Sequence, residues 1–163
     1  MIENITDKRI SWGDLDPLGI VFYPRYYAWM DECGHLFFNT AGIPCELMGQ
    51  EHGIVFGLVE TGCRYFKAGR YHQNIRIITQ LTHLESKTLT FSHIIQDAED
   101  GSLMVEGTEK RICMDASDPE NLKFLYLAFP SHVSSTSLPL SKCTRTSTGN
   151  ITSPSLWTFT ALE

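Results

Sequence analysis

The 163-residue sequence contains no C-x-x-C pair, and its five cysteines, at 33, 45, 63, 113 and 143, are odd in number and widely spaced. That pattern excludes a zinc knuckle and a disulfide framework and leaves reduced, mostly buried thiols. Its six histidines, at 35, 52, 72, 83, 93 and 132, show neither H-x-x-x-H nor H-E-x-x-H spacing, so no metal site is expected. His93, on an apolar strand face, reads as a core or interface residue. A G-x-S-x-G elbow and a glycine-rich phosphate loop are both missing, which removes the common serine-nucleophile and phosphate-cradling chemistries. Positive charge is also scarce. Thirteen Lys and Arg stand against nineteen Asp and Glu, a net charge of -6, and clustered bases are what neutralising nucleic-acid phosphates requires. Nucleic acid is therefore excluded as the main partner.

No apolar run approaches a membrane span, and no membrane partner is expected. Residues 1–11 include Glu3, Asp7, Lys8 and Arg9 and no apolar h-region, so no secretory signal is read and the cytoplasm is the default location. A chain of this length suits one domain with a single core.

What is present is first a helix. From Pro24 to Thr40, Tyr27, Met30, Leu36, Phe37 and Phe38 interleave with Arg25, Asp31, Glu32 and His35, and Gly42 and Pro44 stop the pattern. The helix reads as largely buried, with Gly34 allowing another backbone to approach. After a connecting stretch from Pro44 to Gly53 the period changes to two, as in Leu89, Phe91, His93 and Ile95. Strands are predicted at about Ile54 to Lys67, Asn74 to Leu84, Lys87 to Asp97 and Leu103 to Met114, after an N-terminal strand that ends over Arg9 to Trp12. One helix and about five antiparallel strands pack most simply as a long curved sheet wrapped around the helix, an α+β fold complete by Met114. Part of such a sheet stays uncovered, so association of copies is expected. Beyond it the chain turns rich in Ser and Thr, and we place a domain at 1–132 and a low-complexity tail of unknown role at 133–163.

The densest chemistry lies between the first strand and the helix. Asp14 and Asp16 occupy a loop broken by Gly13 and Pro17, and Pro24 sits where a first helical turn tolerates proline. The acids thus stand beside a helix N-terminus, whose N–H groups can hold a developing oxyanion.

The run Arg9-Ile10, Trp12-Gly13-Asp14, Asp16-Pro17, Gly19-Ile20-Val21-Phe22-Tyr23-Pro24, Tyr26-Tyr27 and Trp29-Met30-Asp31 closely resembles the opening of the 4-hydroxybenzoyl-CoA thioesterase branch of the hotdog-fold superfamily. The resemblance implies a hotdog fold whose dimers join sheets and pair into a homotetramer, with sites between subunits. It implies Asp16 as the catalytic carboxylate and the main-chain N–H of Tyr23 as the group polarising the thioester carbonyl. Gly19, Tyr26 and Tyr27 then fall on the substrate side. Lys87, on the turn where the archetype concentrates arginines, is left to hold CoA phosphates together with Arg64, Lys67 or Arg70. Leu15 replaces the Thr or Cys common among relatives, which implies a greasier pocket, and Trp12 and Phe56 could add aromatic lining. The expected activity is hydrolysis of a small acyl- or aryl-CoA with no cofactor besides the CoA thioester itself. The alternative is a non-catalytic hotdog protein that binds an acyl or aryl ligand or only assembles. A dehydratase would need a helix histidine, and His35 is the sole candidate.

Overall fold

The computed structural model describes residues 3–128 and three short strands beyond them. Strand β1 (Glu3–Arg9) leads through a 3-10 turn at Trp12–Asp14 into α1 (Pro24–Thr40) and α2 (Cys45–His52). Then follow β2 (Ile54–Tyr65), β3 (Asn74–Leu84), β4 (Thr88–Asp97), β5 (Leu103–Asp115) and β6 (Lys123–Ala128). All pair antiparallel. The order β1-β3-β4-β5 runs across the sheet, β2 takes the other side of β5, and β6 continues beside β5 from Met114 and Asp115. The sheet curls around α1, the arrangement expected from the sequence pattern.

The inner face of this sheet is apolar at both ends and polar in the middle. Below the N-terminal half of α1, Ile75, Ile77, Ile95, Met104 and Val105 pack with Tyr26, Trp29 and Cys33. Below its C-terminal half, Leu89, Phe91 and Cys113 pack with Phe37 and Phe38. Between them Thr79, His93, Glu109 and Arg111 form a belt that is fully buried. Thr79 pairs in register with His93, while Glu109 and Arg111 of β5 lie opposite Phe91 and Leu89 of β4, so the belt runs obliquely across three strands. Thr79 Oγ1 and His93 Nδ1 are 2.9 Å apart, and Arg111 Nη2 donates to Glu109 at 2.8 Å and to Asp31 of α1 at 2.7 Å. Removing two charges from water is costly unless they are paired and hydrogen-bonded, as here.

Two glycines make room. A Cβ on Gly34 would stand 3.0 Å from Arg111 Nη2 and 3.1 Å from Glu109 Oε2, and one on Gly107 would overlap the Met30 sulfur at 2.0 Å. Gly34 therefore admits a buried guanidinium, a side chain rather than the backbone expected.

The helix is one-sided rather than largely buried: Tyr26, Trp29, Met30, Cys33, Gly34, Phe37 and Phe38 face the sheet, while Asp31, Glu32, His35 and Asn39 are exposed. The bounds expected for α1 and β3 are those observed, and those for β2, β4 and β5 differ by a residue or two. Three expectations need correction. The first strand ends at Arg9, and Trp12 lies in the 3-10 turn. The segment after Pro44 is not a plain connection but α2, closed by Gly53 at φ 67°. The sheet is also not complete by Met114, because Leu125 and Leu127 of β6 belong to the core. The 132/133 boundary and most of the Ser/Thr-rich segment lie outside the described residues. Within that segment β7 (Thr144–Arg145), β8 (Ile151–Thr152) and β9 (Thr158–Ala161) are strands, and β9 pairs with β6.

Burial would raise the Glu109 pKa, but the His93 ring, with Nε2 3.5 Å away, and the Arg111 charge outweigh it and hold the carboxyl below the usual range. A depressed carboxyl stabilises the fold above its unfolded pKa, near 4.3, and that stability disappears as pH falls through the folded value. We expect Glu109→Gln to lose about 3–5 kcal/mol at neutral pH by leaving Arg111 short of a partner. Thermal melts from pH 7 down to 3 should also show a shallower acid slope than wild type. A melting temperature within a degree or two of wild type at pH 7 would mean that the belt is not a fastening.

Candidate active site

The loop between β1 and α1 fixes its two aspartates differently. Asp14 is buried, and its Oδ2 accepts from the Ser11 N–H at 2.9 Å and the Ser11 hydroxyl at 2.6 Å, while its Oδ1 faces Arg25 Nε at 3.7 Å. This carboxylate caps the 3-10 turn. Asp16 is half-exposed and folds its own turn. Its Oδ1 accepts from the Leu18 N–H at 2.8 Å and lies 3.5 Å from the Ile20 nitrogen, and its main chain exchanges hydrogen bonds with Ile20 and Gly19. Gly19, at φ 71°, supplies the left-handed residue that this reversal requires. Oδ2 of Asp16 takes no hydrogen bond among the described residues.

At the helix start Pro24 has no N–H to offer, the Arg25 N–H donates to the Phe22 carbonyl at 2.8 Å, and the Tyr26 N–H to the Tyr23 carbonyl at 3.1 Å. The Tyr23 N–H is left without an acceptor among the described residues. Phe22 ties the two halves of the loop together by donating to the Asp14 carbonyl at 2.8 Å.

Asp16 and Tyr23 line one cavity of 380 Å³, with Ile20, Val21, Tyr26, Tyr65, Phe66, Lys67 and Ala68 as its other walls. The back wall is rigid. The buried Tyr26 hydroxyl accepts from the Gly69 N–H at 3.2 Å, and the Val21 N–H donates to the Gly69 carbonyl at 3.0 Å. Burial raises the Tyr26 pKa, so its phenol stays protonated at neutral pH. Lys67 is anchored rather than free: its ammonium reaches Ser102 Oγ at 2.7 Å and Asp97 and Asp100 at 3.4 and 3.5 Å.

Of the residues singled out from sequence, Asp16, Tyr23, Tyr26 and Lys67 meet here. Gly19 shapes the turn without touching the cavity. Tyr27 stands one residue further round the helix. Arg64 projects from β2 toward Glu106 at 3.9 Å. Lys87 immediately precedes β4, with its ammonium 5.8 Å from the Phe124 ring. The ten residues of β4 separate it from the Lys67–Asp97 pair, about 30 Å at strand rise. Within one protomer Lys87 and the cavity are thus at opposite ends of the sheet. Leu15 packs into the core instead of the pocket, Phe56 stacks on Phe38, and Trp12 pairs with Tyr71 outside. His35 is exposed on α1, with Nδ1 2.8 Å from the Asp31 carbonyl oxygen, and does not line the cavity. Sequence reasoning missed Tyr65 and Phe66. Their signal was an aromatic pair near the end of the strand predicted at about Ile54 to Lys67.

Residues 18–104 match the model of the thioesterase superfamily. The chain belongs to that superfamily. A 4-hydroxybenzoyl-CoA thioesterase from Pseudomonas sp. strain CBS-3 is 28% identical over 129 residues, covering 76% of this chain and 91% of the relative. A gentisyl-coenzyme A thioesterase structure aligns at 31% identity and a TM-score of 0.64, over 69% of this chain and 89% of that one. A mutant of 4-hydroxybenzoyl-CoA thioesterase, solved with 4-hydroxybenzoyl-CoA bound, aligns at 25% identity and 0.71, over 77% and 93%. The fold is accordingly the hotdog fold, on the 4-hydroxybenzoyl-CoA thioesterase branch.

Because Asp14 holds the 3-10 turn, we expect Asp14→Ala to cost about 1–2 kcal/mol, the range for a lost cap. Urea denaturation measures this directly, and an unchanged midpoint would show that Arg25 and Phe22 hold the loop alone.

Proposed function

We propose that this protein hydrolyses a small acyl- or aryl-CoA thioester to the free acid and CoA. The reading is carried by one observation: a turn-held carboxylate, one of whose oxygens takes no hydrogen bond among the described residues, shares its cavity with the helix start whose N–H has no acceptor among them. The relatives' named activities point to the same chemistry. A thiolate is a far better leaving group than an amine, so a carboxylate suffices without a histidine. Asp16 either attacks the thioester carbonyl, giving a mixed anhydride that water opens, or takes the proton of an attacking water. In both routes the carbon–sulfur bond breaks, CoA leaves as the thiolate, and water supplies the new oxygen of the acid.

The Tyr23 N–H polarises the carbonyl and holds the oxyanion. A positioned donor of this kind is worth about 2.7–4 kcal/mol in the transition state, whereas an exposed helix terminus alone gives about 0.3–1 kcal/mol. The single N–H therefore dominates over the macrodipole. Tyr23, Tyr26, Tyr65 and Phe66 give the acyl pocket an aromatic wall, which favours a flat aryl group.

The working form is an oligomer. β2 pairs with β5 along one edge, and among the described residues its other edge is open over twelve residues, with Leu58 and Val59 half exposed. A long open apolar edge invites another strand, and a second copy joining there would extend the sheet and bring its own side chains toward the cavity mouth. Light scattering on active protein is expected to return a dimer or tetramer.

Asp16→Asn keeps the turn acceptor Oδ1 and removes the charge. We expect kcat to fall on the order of 10²–10⁴-fold on a panel of aryl- and alkyl-CoA thioesters followed with a thiol reagent, with the fold and oligomer intact. Turnover within a few-fold of wild type would remove Asp16 from the chemistry.

A further inference from the structure

We infer that Arg25 is a positioning residue for the hydrolysis proposed above: its guanidinium braces the Asp16 hairpin against the start of α1 and so sets where the Asp16 carboxylate stands relative to the Tyr23 N–H. This rests on the thioester-hydrolase reading and adds to it a residue that acts through others. The chain from Asp14 to Phe22 is a small hairpin. At its base the Phe22 N–H donates to the Asp14 carbonyl at 2.8 Å, Leu15 and Val21 bridge above that, the Asp16 N–H donates to the Ile20 carbonyl at 2.9 Å, and the chain reverses between Asp16 and Gly19. Asp16 therefore rides at the tip of an arm. The returning strand of the arm is tied to the 66–73 segment through Val21 and Ile20 and runs directly into the helix. On the outgoing strand, Gly13 to Asp16, Arg25 is the only side chain from beyond the loop that hydrogen-bonds, among the described residues.

The guanidinium spans two acceptors. Nη2 donates to the Gly13 carbonyl at 2.9 Å, and Nε lies 3.7 Å from Oδ1 of Asp14, the oxygen that Ser11 leaves open by donating twice to Oδ2. One hydrogen bond fixes a distance and permits a pivot; a planar fork that meets a carbonyl and a carboxylate also fixes an angle. A lysine ammonium, a point charge on a flexible stem, can hold one of the two contacts but not the pair in that plane. The main chain of the same residue aims the other partner. The Arg25 N–H donates to the Phe22 carbonyl at 2.8 Å, and that carbonyl and the Tyr23 N–H are opposite sides of one trans peptide unit. Holding the carbonyl in the first helical turn thus points the Tyr23 N–H outward from the helix end, and the bond on the oxygen polarises the N–H of the same unit. Acid and donor are both referred to Arg25, the acid through its side chain and the donor through its backbone.

Arg25→Met and Arg25→Lys test the brace on intact protein with one thioester that wild type turns over. A misplacement of about 1 Å can cost on the order of 10²-fold in rate, so we expect kcat of Arg25→Met to fall about 10–100-fold with KM within about twofold of wild type, and Arg25→Lys to lie between them. The side chain is half-exposed, so the melting temperature should stay within a few degrees, and its screened charge should leave the pH–rate profile in place. Independently of turnover, hydrogen exchange at the Leu18 and Gly19 amides, whose acceptors both belong to Asp16, should quicken about tenfold in Arg25→Met. Turnover of Arg25→Met within about twofold of wild type overturns the brace. So does a loss carried by KM, which would put Arg25 on the substrate, or a displaced pH profile that Arg25→Lys restores in full, which would make it a distant charge. A changed oligomeric state, or exchange at wild-type rates while kcat falls, overturns it as well. If exchange quickens in Arg25→Met yet wild type turns over no thioester, the hydrolase reading fails and the brace on the Asp16 turn stands.

Discussion

Where α1 sits on the sheet decides everything downstream of it, and that seat is cut by two missing side chains. Gly107 leaves a hollow in β5 that Met30 fills, and Gly34 leaves a hollow in the helix that Arg111 fills. Between them the helix can neither slide nor rotate without driving a sulfur or a guanidinium into backbone. The buried Arg111, bonded both to Glu109 of its own strand and to Asp31 of the helix, adds a directional fastening that apolar packing alone lacks. A polar belt in a core is costly unless every member finds a partner. His93 Nε2 is the exception, 3.5 Å from Glu109 and without a hydrogen bond.

From that seat the candidate site follows by short covalent and hydrogen-bonded steps. Fixing Trp29 and Tyr26 in the N-terminal core cluster fixes the first turn of α1, and with it the Tyr23 N–H. The Tyr26 hydroxyl then clamps Gly69, Gly69 clamps Val21, and Val21 lies at the end of the Asp16 turn. A carboxylate that needs to face one particular point in a cavity is thereby held by main-chain geometry, not by a long flexible side chain.

Much of this was legible in the residues. The 3.6-residue period from Pro24 to Thr40 and the alternation through Leu89 to Ile95 placed the helix and the central strands, because each element buries one face and the period reports it. The two glycines and two prolines at 13, 17, 19 and 24 marked the loop and the helix start. What escaped has identifiable causes. Only Met48 of α2 is buried, and Gly49 interrupts its pattern, so that helix carries little periodic signal. Lys123–Ala128 is short, and its two inward leucines look like any apolar pair. The buried Glu109–Arg111 pair went unread, since nothing local says that Gly34, seventy-odd residues earlier, opens a space for it. Lys87 read as a neighbour of the site because a turn in sequence does not disclose which end of the sheet it occupies.

The claim on which the mechanism turns is that a main-chain N–H, not a side chain, polarises the carbonyl. Tyr23 has φ -51°, which proline also adopts, so Tyr23→Pro deletes that N–H in place, and Tyr23→Ala deletes only the ring. Steady-state hydrolysis of one thioester by both variants, with circular dichroism confirming an intact helix, separates the two contributions. A loss in kcat on the order of 10²–10³-fold for the proline variant is expected, with the alanine variant within a few-fold of wild type. Equal losses in the two variants, or full turnover by the proline variant, would contradict it.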